Sequence, residues 1–124
     1  MTTCEIGNLI VAIDVKKHRI RVHKETLHQL NDPKYIQLLF NPELKVLLVR
    51  CCTEKEDQAM KIGYNKLFQS ANSIEFYSMR LIEKIKDVVD GIEVGKVYRL
   101  SGTLKQTKGL AVFPLSTLNE IEHD

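Results

Sequence analysis

The sequence predicts an α+β domain of two strand–helix–hairpin units, packed as a pseudo-two-fold sheet or barrel. Strand-like alternation precedes each of two helical patterns, and a hairpin pattern follows each helix. The 124 residues suffice for one domain with one core and are too few for two independent domains. A hydrophobic fraction of 44% and a charged fraction of 27% are ordinary for a globular protein. We therefore expect a single domain over 1–124.

The first predicted unit covers residues 19–51 and follows a strand predicted over 6–15. Its own strand, 19–23, alternates charged and aliphatic residues, as a strand does when one face lies on a core. A short helix over 24–30 follows it. This helix ends before Pro33, because proline cannot continue the helical hydrogen bonds and disfavours helix at the residue before it.

A predicted hairpin completes the first unit. Residues 35–40 and 45–51 are apolar at successive positions, and Pro42 lies in the turn between them. Continuous apolar runs are typical of strands that are buried on both faces. At least one strand of the hairpin is therefore expected to be covered on both sides. The pattern of 53–72 leaves strand, helix and loop open.

The second predicted unit covers residues 73–115. Its strand, 73–77, leads to Ser78, whose hydroxyl can cap a helix by accepting from an unpaired backbone N–H. Apolar residues then recur at helical spacing as far as Gly91, which is expected to end the helix. A hairpin that turns at 106–109 completes the unit. One unit alone cannot bury its apolar face, so the two are expected to pack together.

The strand at 19–23 lies in the densest basic patch of the sequence. Seven of the nine residues from 16 to 24 are basic or titratable. Alternate strand residues project to one side, which suits the patch to phosphate groups, although the formal net charge is only +2. A solvated edge strand, whose charges prevent aggregation, is the alternative interpretation. The predicted anion-binding or nucleic-acid-binding residues are Lys16, Lys17, Arg19, Arg21, His23 and Lys24.

Aromatic residues beside arginines form a second candidate site. Tyr77 with Arg80, and Tyr98 with Arg99, are pairs that can stack on a base or a nucleotide. The alternative for Tyr98 is a place in the sheet core, since it lies in an alternating strand.

The sequence shows no motif of a catalytic, cofactor or metal site. It contains no nucleophile-elbow, P-loop or dinucleotide-binding motif, and its histidines and cysteines lack metal-site spacing. We therefore expect no catalytic residue, metal or cofactor, and no enzyme. No apolar run is long enough to span a membrane, and the N-terminus lacks the basic region of a signal peptide. Three cysteines, an odd number, fit free thiols in the cytoplasm.

Residues 12–27, AIDVKKHRIRVHKETL, resemble the opening of swapped-hairpin proteins of the AbrB and MraZ type. In that family an aspartate is followed by a basic turn, an arginine-bearing strand, a short helix and a further strand pair. The resemblance implies a bacterial or phage DNA-binding regulator with basic residues on a dimeric β-barrel. The doubled unit is similar to the MraZ-like form, which carries two copies in one chain.

Two functions therefore follow from the sequence. The first is a small bacterial or phage nucleic-acid-binding regulator of transcription that uses the basic strand. The second is a small phage or bacterial inhibitor or sequestering protein, which binds a protein partner or a phosphorylated nucleotide. In either case we expect a homo-oligomer, because the continuous aliphatic runs and strand edges need a second copy to cover them.

Overall fold

The computed structural model describes residues 9–63, 73–105 and 108–121, and 47% of this chain is strand. The strands are β1 (Leu9–Asp14), β2 (Arg19–His23), β3 (Tyr35–Asn41), β4 (Val46–Cys52), β5 (Met60–Lys61), β6 (Ser73–Tyr77), β7 (Val97–Lys105), β8 (Leu110–Pro114) and β9 (Asn119–Glu120). The helices are α1 (Lys24–Gln29) and α2 (Met79–Val88), and a 3-10 turn covers Leu115–Thr117.

The described strands form one antiparallel sheet with the order β5-β3-β4-β8-β7-β1-β2-β6, and β9 pairs beside β7. Strand β7 belongs to both halves of this sheet. Its residues 97–102 pair with β1, and its residues 103–105 pair with β8. Because one strand changes partners along its length, the sheet curls into a half-barrel, and its inner face carries the core.

The predicted packing of two strand–helix–hairpin units is wrong. The elements lie near their predicted positions, but their strands pair across the proposed units. Strand β2 pairs with β6, β4 pairs with β8, and β1 lies between β2 and β7. The short strands β5 and β9 join the same sheet. The result is one curled antiparallel sheet, because long-range burial decides which strands pair.

Alternation along the strands places the core on the inner face, as the sequence predicts for β2. Ile20 and Val22 are fully buried, whereas Arg19, Arg21 and His23 face the opposite side. The predicted hairpin of β3 and β4 is confirmed in full register from Tyr35–Cys52 to Asn41–Val46.

Helix α2 covers part of this core, and its start is confirmed. The Ser78 hydroxyl accepts a hydrogen bond from the Leu81 backbone N–H, with an N···O distance of 3.2 Å. Its buried side chains are Leu81, Ile82 and Ile85. The helix ends at Val88, so Gly91, with φ +87°, serves the following turn instead of the predicted position directly after the helix.

Several predictions fall wholly or partly outside the described residues. The start of the strand predicted from residue 6, the segment 64–72 and the turn residues 106–107 are among them. Of the ambiguous segment, 53–59 is turn and loop, and β5 follows it. Cys4 is also outside, whereas Cys51 and Cys52 are free thiols.

Gly102 lies where β7 changes partners. It pairs with Leu9 of β1, and the next residue, Thr103, pairs with Val112 of β8. A Cβ atom at Gly102 would lie 2.5 Å from Phe113 Cδ2 and 2.5 Å from the Val112 carbonyl oxygen. Phe113 is fully buried, so its ring has little room to move. Only glycine allows the two strands to approach this closely.

We therefore predict that Gly102→Ala lowers the free energy of unfolding by roughly 1–3 kcal/mol or more, the usual cost of overpacking a core. Urea titration of the variant measures this. The matched control is Gly95→Ala, since no atom lies within 4 Å of a Cβ at Gly95. Equal stability of Gly102→Ala and the wild type would show that β7 and β8 do not approach each other as described.

Candidate functional site on the outer face of the sheet

The side chains opposite the core form an outer face on β6, β2, β1 and β7. Arg21 of β2 pairs with Ala12 of β1, and Ala12 pairs on its other side with Arg99 of β7. Neighbouring strands lie about 4.8 Å apart, so the two arginine backbones are about 10 Å apart with one small side chain between them. The sequence placed Arg99 among the stacking residues, and the fold brings it beside the basic strand.

Arg19 forms two ion pairs within the sheet. Its Nη2 donates to Asp14 Oδ2 at 2.9 Å, and its Nη1 donates to Glu75 Oε2 at 3.3 Å. Its side chain is only 13% exposed. Burial acts to lower the pKa of Arg19, but the hydrogen bond to Asp14 and the charge of Glu75 raise it above its ordinary value. Arg19 therefore links β1, β2 and β6, and its charge is largely neutralised.

Arg21 keeps more of its guanidinium accessible. Its Nε donates to Glu75 Oε2 at 3.2 Å, and its side chain is 40% exposed. The same oxygen of Glu75 accepts from Arg19. One carboxylate oxygen is thus shared between two guanidinium groups, which leaves positive charge on the more exposed Arg21.

The pKa of His23 depends on the burial and the charges at this end of the outer face. Its pKa is lowered first by partial burial, and then by the positive charges of Arg99 and Arg21. The positive charges of the two arginines therefore add to the effect of burial in opposing protonation of the imidazole. We call Arg21 and Arg99, on either side of Ala12, the cationic cluster, and His23 lies at its edge.

The predicted lysines lie at the two ends of β2. Lys16 and Lys17 are exposed in the turn between β1 and β2, where the Lys17 backbone N–H donates to Asp14 Oδ1 at 3.3 Å. Lys24 begins α1 and is half-buried. The alternative interpretation of the basic patch, a solvated edge strand, is wrong, because β2 lies between β1 and β6.

The predicted stacking residues separate into two environments. Tyr98 is only 6% exposed, and its hydroxyl accepts a hydrogen bond from the Glu93 backbone N–H at 2.8 Å. Tyr98 is thus a core residue and cannot stack on an external base. Tyr77 is 65% exposed and lies near Arg80, where both line a groove between β3 and α2.

Sequence reasoning missed this groove. Its lining residues come from three separate stretches, 38–40, 58–60 and 77–84. The one signal in the sequence was the continuous apolar run that contains Leu39, because the structure buries only part of that run and leaves Leu39 exposed.

Metal and membrane sites find no support in the described parts of the chain. There, no three of the His, Cys, Asp and Glu side chains come together in a way that could hold a metal ion. None of the described helices has the length and apolar character that crossing a membrane requires.

Comparison with known proteins does not identify a family for this chain. No protein-family model, curated protein or solved structure matches this chain. The resemblance to the AbrB and MraZ type therefore stays a hypothesis that rests on residues 12–27.

We predict that His23 titrates below the ordinary histidine pKa of 6.5 and that Arg99→Gln raises its pKa, because the substitution removes a nearby positive charge. The imidazole signals in a proton NMR titration measure this, with His23→Gln used to assign them. Lys16→Gln is the matched control and should leave the His23 pKa unchanged. An unchanged pKa in Arg99→Gln would contradict the geometry of the cationic cluster.

The same shift predicts a pH dependence of stability. Since the folded pKa of His23 is depressed, the unfolded chain binds more protons just below pH 6.5. The contribution of His23 to stability is therefore complete above that pH and is lost as the pH falls through the folded pKa. Urea titrations of the wild type and of His23→Gln between pH 5 and 8 test this, and a His23→Gln variant with the same pH profile would contradict it.

Proposed function

We propose that this protein is a non-enzymatic nucleic-acid-binding regulator that contacts the phosphate backbone through the cationic cluster. The observation that carries the proposal is the placement of Arg21 and Arg99 on either side of Ala12, on one face of the sheet. Their positive charges add to the partial burial that lowers the pKa of His23. Arginine side chains make bidentate contacts with phosphate, and Ala12 between them adds no carboxylate to that part of the face.

The proposal assigns different roles to the two arginines of β2. Arg19 holds three strands together through Asp14 and Glu75, and it contributes little free charge. Arg21 and Arg99 meet the ligand. Lys16, Lys17 and Lys24, at the ends of β2, extend the positive surface. Contacts of this kind fix the position of a nucleic acid without reading its sequence.

The proposal also places the protein in the cytoplasm as a homo-oligomer. The free thiols of Cys51 and Cys52 support a reducing compartment, in which thiols persist. The strands β6 and β5 end the path of the described sheet, and an end strand can pair with a second copy.

We predict that Arg21→Ala combined with Arg99→Ala weakens binding to duplexes of any sequence by a similar factor. The slope of log K against log salt concentration should fall by about two, since each lost phosphate contact releases about one counterion fewer. Fluorescence anisotropy with labelled duplex DNA, single-stranded DNA and RNA from 25 to 200 mM salt measures both effects.

Two controls separate this effect from simple charge loss and from unfolding. Lys55→Ala with Lys61→Ala removes two exposed charges near β5 and should leave the slope unchanged. Arg19→Ala should mainly lower stability, because it leaves Asp14 without its ion pair. If the wild type binds none of the three nucleic acids, or if the double variant binds as the wild type does, the proposal fails. The inhibitor or sequestering function then takes its place.

A further inference from the structure

A groove lies between β3 and α2, next to β5. Its volume is about 430 Å³, within the range of small-molecule sites. Strand β5 pairs with β3 only at Tyr35 and Ile36, so among the described strands none covers that side of β3 from Leu38 onward. The groove opens beside this part of β3, and α2 closes its other side.

The floor of the groove is apolar and continuous with the core. Leu38, Phe40 and Met60 are partly buried and pack against the core, and Leu81 of α2 faces them. Leu39 and Tyr77, at the rim, are large apolar residues that stay exposed. Exposed apolar surface of this kind around a concave site is typical of a binding site.

The described charged residues that line the groove are all positive. Arg80 and Lys84 line it from α2, and their spacing of four residues places them on the same side of the helix. None of the described residues that line the groove is acidic. The nearest carboxylate along the helix, Glu83, pairs instead with His18 and Lys86. An apolar floor beside two cations is complementary to a molecule with an apolar body and an anionic end.

We propose that this groove binds a free amphipathic organic anion, namely an alkyl or acyl chain with a carboxylate or phosphate head group. The chain lies on Leu38, Phe40 and Met60, and the head group meets Arg80 and Lys84. This site is separate from the cationic cluster, which occupies the outer face of other strands.

Isothermal titration calorimetry with three probes of equal chain length tests the charge requirement. Decanoate or decyl phosphate should bind at one molecule per chain, and the tighter of the two identifies the head group. The uncharged 1-decanol should bind at least about tenfold more weakly, because it has no charge to meet the two cations. Equal binding of 1-decanol and the better anion would overturn the proposal.

Variants of the groove test its location. Arg80→Gln with Lys84→Gln should raise the Kd of the better anion by about tenfold or more. Lys86→Gln, on the same helix but paired with Glu83, should leave it unchanged. Ala59→Trp keeps every charge but fills the groove, and should abolish binding. Circular dichroism confirms that each variant is folded.

The outcome is independent of the proposed nucleic-acid binding. Arg21→Ala with Arg99→Ala should bind the better anion as the wild type does, because neither residue lines the groove. Wild-type affinity in folded Ala59→Trp, or in Arg80→Gln with Lys84→Gln, would place the anion elsewhere and refute the inference.

Discussion

The close approach of β7 and β8 at Gly102 is the constraint on which the rest of the structure depends. At this residue β7 stops pairing with β1 and starts pairing with β8, and the ring of Phe113 occupies the space where a side chain would stand. Phe113 also pairs across to Leu47 of β4. One packed contact thus joins the two halves of the sheet and sets its curl.

The two arginines of β2 lie on one face of the sheet but in different electrostatic environments. The inner side of β2 must supply Ile20 and Val22 to the core, so its basic residues all lie on the outer face. On that face, the residues of β1 and β6 next to each arginine determine which ion pairs it forms. Arg19 pairs with two carboxylates and links the strands, whereas Arg21 shares one of these carboxylates, is more exposed and lies across Ala12 from Arg99.

Local features of the fold could be predicted from the sequence, and long-range ones could not. Alternation predicted which face of β2 carries Arg21, and hydrogen-bonding chemistry predicted the Ser78 cap, because both depend on neighbouring residues. The pairing of Arg19 with Glu75, the position of Arg99 and the groove each depend on strands distant in sequence. Element order along the chain favoured two units, but burial of the common core selected one sheet.

The backbone of Ala12 gives the most direct test of this account, since both the shared sheet and the cationic cluster require it to lie between two arginines. Nuclear Overhauser effects from the amide and α protons of Ala12 report its neighbours across each strand. The account predicts cross-strand contacts from Ala12 to both Arg21 and Arg99. Contacts to Arg21 without any to β7 would contradict it, because β1 would then not connect β2 to β7.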